Sequence, residues 1–446
     1  MLVMKFGGSS VRDAAMIRQV LDIAASRLDQ APLLVSSAMG KTTDALISIA
    51  DDAEAGERDR AFETIARLRE HHISVARELV SDEADAGTQR AIGALFDQLE
   101  SLAHGIYLIR ECSPRSRDAI LSFGERLATL IITAAARGRG IDAELVDSRT
   151  LIRTDDSFGA ASPDMETTVR QTKAALSPRP GHLYVAQGFI GSNADGVTTT
   201  LGRGGSDYTA TILGAALDAE SVEIWTDVTG IMTSDPRVIP EARTIPTISY
   251  DEAAELAYFG AKVVHPYTIL PAVKRAIPVW VKNTGAPEEA GTRIQTSTEA
   301  TGIRALASKS GITLITVQSS RMLNAYGFLR ELFSVFDRFR ISVDLVATSE
   351  VSVSMTVDRD VNIAAIVTEL EALGEVSVER EKSIICMVGR GMFQQAGLLA
   401  SVFAAIDPVP VRMISLGSSD VNLSIVVARP ETERVLRALH DRLFAR

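Results

Sequence analysis

The first two thirds of the 446-residue chain alternate short apolar runs with longer segments of helical periodicity. The short runs are followed by Gly, Ser, Thr or Asp, which is typical of buried central strands. We predict strands at Leu2–Phe6, Leu33–Ser37, Glu144–Asp147, Leu183–Gly188, Val222–Thr226 and Val279–Lys282, with intervening helices that include Val11–Leu28, Thr209–Leu217 and Asp251–Phe259. This alternation predicts an α/β layered domain with a largely parallel sheet over residues 1–295.

Two stretches interrupt that pattern. Residues 43–121 are rich in Glu, Arg, Asp and Ala and carry apolar residues at helical spacing. They indicate a mainly helical insertion with a solvated charged face. Residues 284–301 turn to Gly, Pro, Glu, Ser and Thr, which is typical of a linker, so we expect a domain boundary near residue 295.

Residues 296–446 contain an internal repeat at an offset of 70 residues, in which Gly327 and Phe333 match Gly397 and Phe403. Each copy has the order of a ferredoxin-like split βαβ unit. In the first copy, at about 310–380, we predict strands at Ile312–Val317, Ile341–Ala347 and Val351–Val357 and helices at Phe328–Phe339 and Ile363–Leu373. The second copy, at about 381–446, lacks a closing strand, which residues 303–308 are expected to supply. Such pairs favour ligand sensing, but a purely structural duplication stays open.

The charge balance and the cysteine content exclude several classes of protein. The formal net charge is −11 and the pI is near 5.2, which argues against partners such as nucleic acid or a membrane surface. The apolar runs are shorter than a membrane span, and the N-terminus shows no signal-peptide pattern. Two cysteines cannot form a disulfide framework, so we expect a reducing, cytoplasmic setting.

Two glycine-rich loops are candidates for anion binding. Lys5-Phe6-Gly7-Gly8-Ser9-Ser10 follows the first strand and precedes a helix, so N–H groups and a lysine could face an anion, although a tight turn explains the motif equally well. In the second loop, Ser206 or Asp207 suits a helix N-cap. A helix cap does not explain Arg203 among glycines. Because arginine can bind a carboxylate through two hydrogen bonds, we favour a ligand-binding role for this loop.

Three further motifs carry acids and a lysine. Thr226-Asp227 ends a strand, where α/β sheets bind ligands, and Asp235-Pro236-Arg237 follows in a loop or turn. Lys262 lies near a helix end, where it could simply satisfy the helix dipole. Ser122 and Glu125 fit a capping box. Together, and without a P-loop, these groups suit phosphoryl transfer to a small acidic acceptor.

Six strings occur in the order KFGGSS, SFGERLA, QGFIG, TTTLGRGGSDYTA, WTDVTGIMTSDPR and FGAKVVHP. They resemble the amino-acid kinase domain of aspartate kinases, and the tandem repeat resembles the paired ACT regulatory units of that family. The resemblance spans nearly the whole chain and is closest to the monofunctional lysine-sensitive type. It implies a three-layer sandwich with a mainly parallel central sheet and a C-terminal tandem ACT region. It also implies transfer of the γ-phosphoryl group of ATP to the β-carboxylate of L-aspartate, giving 4-phospho-L-aspartate and ADP, in lysine, threonine and methionine biosynthesis.

The resemblance also implies residue roles. Lys5, Asp207 and Lys262 are expected to be catalytic, with Asp207 helping to place Mg²⁺ on the ATP phosphates. ATP contacts are expected from Lys5, Gly7, Gly8, Ser9, Thr226, Asp227, Met232, Arg237, Lys262 and Val263. Aspartate contacts are expected from Ser36, Thr42, Glu125, Phe189, Arg203, Gly204, Gly205 and Ser206. In this set Arg203 is expected to bind the α-carboxylate of aspartate, and Glu125 is expected to bind its α-amino group. For Glu125 the resemblance thus implies a substrate contact instead of the capping role.

The effector site of the first ACT unit is expected at Ala325, Phe328, Leu329, Ser342, Val343, Asp344, Ser349 and Glu350. Asp344 and Glu350 favour a cationic effector such as lysine. Three positions depart from the family pattern: Ser9 replaces a threonine, Met232 an aromatic residue, and Ala325 a polar residue of lysine-sensitive relatives. Paired ACT units are expected to associate, as a homodimer or a dimer of dimers.

Two alternative functions stay open. One is another amino-acid kinase that acts on glutamate, acetylglutamate or a nucleotide, and Arg203 with Glu125 argues instead for a free amino acid. The other is a catalytically weak amino-acid sensor that works through the ACT pair. The presence of Lys5, Asp227 and Lys262 argues against a sensor without catalysis.

Overall fold

The computed structural model describes residues 1–80, 82–260, 264–323, 326–358, 362–417 and 419–444. The chain forms two compact units, the first with residues 1–231, 246–250 and 263–297 and the second with 232–245, 251–262 and 298–446. Two segments that precede residue 295 therefore pack with the second unit. For the segment 232–245 the reason is visible in its apolar side chains, because Ile239 and Ala242 belong to the core of that unit.

The described elements come in this order along the chain. The helices are α1 Ala14–Ala25, α2 Thr42–Ala55, α3 Arg58–Leu79, α4 Asp82–Ile109, α5 Pro114–Leu121, α6 Phe123–Gly138, α7 Ser148–Leu151, α8 Met165–Ala175, α9 Gly205–Ala216, α10 Tyr250–Tyr258, α11 Pro266–Lys274, α12 Phe328–Arg338, α13 Ile363–Leu370, α14 Leu398–Ile406 and α15 Thr432–Phe444. The strands are β1 Leu2–Phe6, β2 Leu33–Ser36, β3 Asp142–Val146, β4 His182–Gln187, β5 Ile190–Ser192, β6 Thr198–Thr200, β7 Ser221–Thr226, β8 Thr247–Ser249, β9 Val279–Asn283, β10 Thr292–Gln295, β11 Gly302–Gln318, β12 Val346–Thr348, β13 Ser352–Asp358, β14 Glu375–Arg390, β15 Met413–Leu416 and β16 Asn422–Ala428.

The first unit is built on an eight-stranded sheet of order β3-β4-β2-β1-β7-β9-β10-β8. All neighbouring pairs are parallel except β9 and β10. Every residue of β1, β2 and β4 is buried, so both faces of the sheet are covered there. This is why these strands are continuous apolar runs in the sequence. The predicted α/β class with a mainly parallel sheet is confirmed.

Residues 42–121 form the four helices α2 to α5, and Ile65, Phe96 and Leu99 from this region are fully buried in the core of the first unit. One helical stretch among the described residues, Pro114–Gly138, meets the length and composition of a membrane span. However, 78% of its most apolar window is buried inside the protein, as expected of a core helix. The stretch predicted as a linker, 284–301, contains β10, so that prediction is wrong at its centre; β10 pairs with both β8 and β9.

The second unit contains a six-stranded sheet of order β12-β13-β11-β14-β16-β15, in which all pairs are antiparallel. The two separate strands predicted at 303–307 and 312–317 are one strand, β11, because Gly311 at φ 77° continues the chain through a register shift rather than a turn. The first half of β11 pairs with the half of β14 that contacts β16, and its second half pairs with β13. The predicted strand 341–347 is also wrong, since only β12, Val346–Thr348, is extended in the sheet.

Gly389 of β14 leaves no room for a side chain beside β11. A Cβ at this position would overlap the carbonyl group of Gly302 and lie 2.8 Å from the Cα of Ile303. Because backbone atoms cannot rotate away, we predict that Gly389→Ala lowers the free energy of unfolding by about 1–3 kcal/mol. Gly105→Ala is the control, since Gly105 lies on the exposed face of α4 with no atom within 4 Å of a new Cβ. It should stabilise the protein by about 1 kcal/mol. Denaturant unfolding measures both, and equal stability of the two variants would contradict the prediction.

Candidate active site

Four parallel strands of the first sheet end at the same edge. Phe6 of β1 is in register with Ser36 of β2 and Trp225 of β7, and Ser36 is in register with Gln187 of β4. The loops that follow are therefore adjacent in space, although the strands end at residues as far apart in the chain as Phe6 and Thr226. The carboxyl ends of parallel strands are where sheets of this class bind ligands.

A cavity of about 290 Å³ lies at this edge of the sheet. It is lined by Lys5, Gly8, Ser37, Ala38, Gly40, Thr43, Glu125, Phe189, Gly202, Gly204, Gly205, Ser206 and Asp207. Four of the six strings singled out in the sequence contribute to this wall. Most of the predicted aspartate contacts and the loop after β1 thus share one cavity.

Two glycines let the loops of the cavity approach each other. A Cβ at Gly8 would lie 2.8 Å from the carbonyl oxygen of Ala38, and the Gly40 N–H donates to the carbonyl of Gly8 at 3.0 Å. A Cβ at Gly188 would lie 2.6 Å from the Cβ of Ser206. Larger residues at these positions would push the loops apart.

Lys5 and Asp207 form an ion pair in the wall of the cavity. The Lys5 Nζ lies 2.6 Å from Asp207 Oδ1, and their side chains are only 11% and 14% exposed. Helix α9 begins at Gly205, with Gly204 as N-cap at φ 70°. The predicted capping roles of Ser206 and Asp207 are therefore wrong, because glycine at a left-handed position starts the helix earlier. Asp207 lies instead in the first turn, where the helix dipole favours a negative charge.

Glu125 is a buried acid that lines the cavity. The residue is 3% exposed, its Oε1 accepts a hydrogen bond from the Ala38 N–H at 3.1 Å, and its Oε2 has no partner among the described residues. Burial raises the pKa of Glu125 to about 8, although the hydrogen bond from Ala38 opposes the rise. An unpaired carboxyl oxygen in such a place needs a donor or a cation from a ligand.

The capping box predicted at Ser122 and Glu125 is wrong. Helix α5 runs into α6, since the Ser122 N–H donates to Asp118 and the Arg126 N–H donates to Ser122. The Ser122 hydroxyl donates to the carbonyl of Ala119. No helix begins at Ser122 that would need a cap, which leaves the Glu125 side chain free to face the cavity.

The other predicted aspartate contacts lie at or beside the cavity. The buried hydroxyls of Ser36 and Thr42 donate to the carbonyls of Ser37 and Met39, and their sequence neighbours Ser37 and Thr43 line the wall. Arg203 is exposed on the loop between two glycines of the lining.

Phe189 adopts an unusual backbone conformation at the edge of the cavity. Its φ is 71°, a left-handed value that strains a residue other than glycine. Its N–H donates to the Thr209 hydroxyl at 2.9 Å, which helps to hold it in place. Such strain is often retained at functional sites.

The residues expected to bind ATP are distributed over both units. Gly7, Gly8 and exposed Ser9 follow β1, and Thr226 with Asp227 ends β7 in the same unit. Met232 and Arg237 belong to the second unit, in which Met232 packs against the core and Arg237 pairs with Asp235 at 2.7 Å. Lys262 and Val263 lie outside the described residues.

Asp118 is a residue that the sequence analysis missed. It is 1% exposed and accepts hydrogen bonds from the N–H and the hydroxyl of Thr200, both at 2.8 Å, and from the N–H of Gly159 at 3.0 Å. These bonds attach the chain just before Gly202 to the helical region. Nothing in the sequence distinguishes Asp118 from the exposed acids of that charged region.

The described residues include no group of three or more His, Cys, Asp or Glu that could enclose a metal ion. The acidic side chains of the cavity are Glu125 and Asp207, and burial favours the protonated form of Glu125. Asp207 alone fits Mg²⁺ carried by nucleotide phosphates, since Mg²⁺ commonly takes one or two carboxylates and keeps water ligands.

The predicted effector residues lie in the second unit. Phe328 is buried at the start of α12, Leu329 is 42% exposed, and Val343 packs against the core of the first ACT copy. Ser342, Ser349 and Glu350 are exposed, whereas the Asp344 carboxylate is only 2% exposed. Ala325 lies outside the described residues.

Comparison with known proteins identifies the family. The model of the amino acid kinase family matches residues 1–283, and a model of the ACT domain matches residues 385–443. Lysine-sensitive aspartokinase 3 of Escherichia coli (strain K12) is 39% identical over 458 residues, which cover 99% of both chains. The chloroplastic aspartokinase 1 of Arabidopsis thaliana is 36% identical over 463 residues, 99% of this chain and 80% of that protein.

Two crystal structures of E. coli aspartokinase III resemble this fold over its whole length. The T-state complex with lysine and aspartate has a TM-score of 0.84, covering 100% of this chain and 99% of that one. The R-state complex with aspartate and ADP has a TM-score of 0.82 and covers 100% of both chains. Both are 39% identical to this chain.

The raised pKa of Glu125 predicts a pH dependence of stability. Between its ordinary pKa of 4.5 and the folded value of about 8, the folded state binds more protons than the unfolded state. The free energy of unfolding should therefore fall as pH rises through this window, by at most about 1.4 kcal/mol per unit from this group. Glu125→Gln should remove this contribution and gain most over the wild type above pH 8. Parallel pH profiles of the two proteins in denaturant unfolding would contradict the assignment.

Proposed function

The chain belongs to the amino acid kinase family and, within it, to the aspartokinases, and we propose that the cavity at the sheet edge is its active site. Aspartokinases are ATP-dependent kinases of amino-acid biosynthesis that phosphorylate the carboxyl group of aspartate. The observation that carries the proposal is the buried Glu125 oxygen without a partner, in a cavity that also holds the Lys5–Asp207 pair. Glu125 suits an ammonium group, and Lys5 suits an anion.

The chemistry of the acceptor explains the groups present. A side-chain carboxylate of aspartate has a reference pKa of about 3.9, so it is ionised at neutral pH and needs no general base. The obstacle is the repulsion between this anion and the ATP polyphosphate. Lys5 and the N-terminus of α9 supply positive charge at the sheet edge. Their main task is alignment of two anions that repel each other.

The substrate is held at both of its α-substituents in this proposal. Glu125 binds the α-ammonium group through its free Oε2, and Arg203 binds the α-carboxylate from the exposed loop. Ser36, Thr42, Phe189, Gly204, Gly205 and Ser206 shape the remainder of the aspartate site, together with Ser37 and Thr43. The side-chain carboxylate is then directed towards Lys5.

Lys5, Gly7, Gly8 and Ser9 are proposed to hold the ATP phosphates. Thr226, Asp227, Met232, Arg237, Lys262 and Val263 are proposed as the further nucleotide contacts. Asp207 is the carboxylate available to Mg²⁺ beside Lys5, and when bound the ion would neutralise charge on the phosphates. Lys5 and Lys262 are proposed to stabilise the transferred phosphoryl group.

We propose residues 1–295 as the catalytic region and residues 296–446 as the regulatory region, with L-lysine as the effector of the first ACT copy. The lysine complex of E. coli aspartokinase III supports this, as does the acid pair Asp344 and Glu350. Feedback by the end product fits the ACT family match. A homodimer or dimer of dimers in the cytoplasm is proposed as the working state.

A single assay tests the activity. The purified full chain is incubated with MgATP and either L-aspartate, L-glutamate or no acceptor, and hydroxylamine traps an acyl phosphate as the hydroxamate. Hydroxamate and ADP should form with aspartate and decrease when L-lysine is added. Equal turnover with glutamate would indicate another amino-acid kinase, and ADP release without hydroxamate would contradict acyl-phosphate formation.

Removal of the Lys5 charge should affect turnover much more than aspartate binding. In Lys5→Ala we expect kcat to fall at least a hundredfold, about 2.7 kcal/mol of transition-state stabilisation, and the KM for aspartate to change less than fivefold. Lys173→Ala is the matched control, because Lys173 also pairs with an aspartate but lies exposed on α8. Near-normal kcat in Lys5→Ala would remove Lys5 from the mechanism.

Aspartate binding should release a proton. At pH 7 the Glu125 carboxyl, with its pKa near 8, is mostly protonated, and an ammonium group beside it favours the ionised form. Calorimetric binding enthalpies in buffers of different ionisation enthalpy should indicate release of nearly one proton at pH 7 and almost none at pH 9.5. Glu125→Gln should abolish the release and weaken binding at least tenfold. Buffer-independent enthalpies for the wild type would rule out Glu125 as the ammonium partner.

A further inference from the structure

The Asp344 carboxylate, proposed above as an effector contact, is already neutralised by another part of the chain. Lys309 Nζ lies 2.9 Å from both of its oxygens, and the Tyr258 hydroxyl donates to Oδ1 at 2.6 Å. With 2% exposure, this carboxylate could not stay ionised at low cost without such partners. Any ammonium ligand of Asp344 must therefore compete with these two groups.

Lys309 has a second carboxylate within reach. Its Nζ also lies 2.8 Å from Oδ1 of Asp358, whose side chain is 60% exposed at the end of β13. Burial alone would lower the pKa of Lys309, but the bonds to Asp358 and Asp344 outweigh it and raise the pKa. The lysine is thus a permanent cation that can leave Asp344 without losing every partner.

The second copy of the repeat has the same ion pair with the charges exchanged. Asp344 donates its N–H to Thr356 of β13, and Arg412 donates its N–H to Val426, the matching residue of β16. Glu379 lies at the position of the repeat that corresponds to Lys309, and Arg412 Nη2 lies 2.5 Å from Glu379. The fold therefore accepts either an acidic or a basic residue at the position of Asp344. A carboxylate with a lysine as its counter-ion is found at this position in the first copy only.

Tyr258 connects this carboxylate to a segment that precedes residue 295. It ends α10, within the segment 251–262 that belongs to the second unit. Its pKa is raised by burial and by the neighbouring Asp344, so the phenol stays protonated and remains a donor. The Asp344 carboxylate is thus bonded directly to the C-terminal residue of α10.

We propose that Lys309 is a tethered competitor of the effector: its ammonium group occupies Asp344 in the free protein, moves to Asp358 when a cationic amino acid binds, and so sets the effector concentration that the enzyme senses. The inference rests on the proposed effector role of Asp344. It concerns amino acids whose side chain carries an ammonium group that can take the place of Lys309 at Asp344. Amino acids with uncharged or anionic side chains have no such group, so we expect them not to displace Lys309.

Binding of L-lysine to the full chain, measured by calorimetry, tests the proposal. In Lys309→Met, Asp344 keeps only Tyr258 and the Kd for L-lysine should fall about tenfold, as should the concentration that halves the activity. In Asp358→Asn, Lys309 has no alternative partner and the Kd should rise several-fold. Glu379→Gln, the equivalent change in the second copy, should leave the Kd unchanged. A structural role for Lys309 predicts the opposite result, namely weaker binding in Lys309→Met.

The outcomes separate this inference from the proposed function. Unchanged or weaker L-lysine binding in folded Lys309→Met, with binding by the wild type intact, overturns the competitor role and leaves the effector proposal standing. Binding by Lys309→Met but not by the wild type supports the competitor. If neither protein binds L-lysine, both the competitor and the effector role fail, while the hydroxamate assay still judges catalysis. If Lys309→Met does not fold, the Kd of Asp358→Asn decides, and an unchanged value overturns the proposal.

Discussion

The carboxyl ends of four parallel strands meet at one edge of the first sheet, and the proposed catalytic site depends on this constraint. Each strand delivers a loop, and the in-register pairing of Phe6, Ser36 and Gln187 places those loops within reach of one ligand. The loops approach closely because glycines face backbone or Ser206 at short distance. Lys5 can then lie beside Asp207, although the two residues are two hundred positions apart in the chain.

The site has a cost in stability that a substrate would remove. Glu125 is held in an apolar position with one oxygen unpaired, and burial keeps its pKa near 8. The Ala38 N–H satisfies only one of the two oxygens, and the other is available as a strong partner for an ammonium group. Asp344 in the second unit is also a buried carboxylate, but there the chain itself supplies a cation, Lys309.

The two ACT copies are joined by more than their order in the chain. Strands β11 and β14 pair along both copies. Residues 302–310 of β11 pair with the part of β14 that belongs to the second copy, and residues 314–318 pair with the part that belongs to the first copy. The ion pairs Lys309–Asp344 and Glu379–Arg412 have their charges exchanged, so the two copies keep the same fold with opposite charges at equivalent positions.

The α/β class, the repeat and the family could be predicted from the sequence, because buried parallel strands, helical periodicity and glycine loops are local patterns that the chain carries in order. Lys5 could be chosen as a candidate from its glycine loop, whereas Glu125 and Asp207 became site candidates only through the family resemblance. Only the tertiary structure decided that Glu125 faces a cavity rather than caps a helix, since this depends on α5 continuing into α6. It also decided that Asp118 holds a loop and that Lys309 neutralises Asp344. Such roles are set by contacts between distant segments, and the identity of a single residue does not determine which distant partner the fold brings to it.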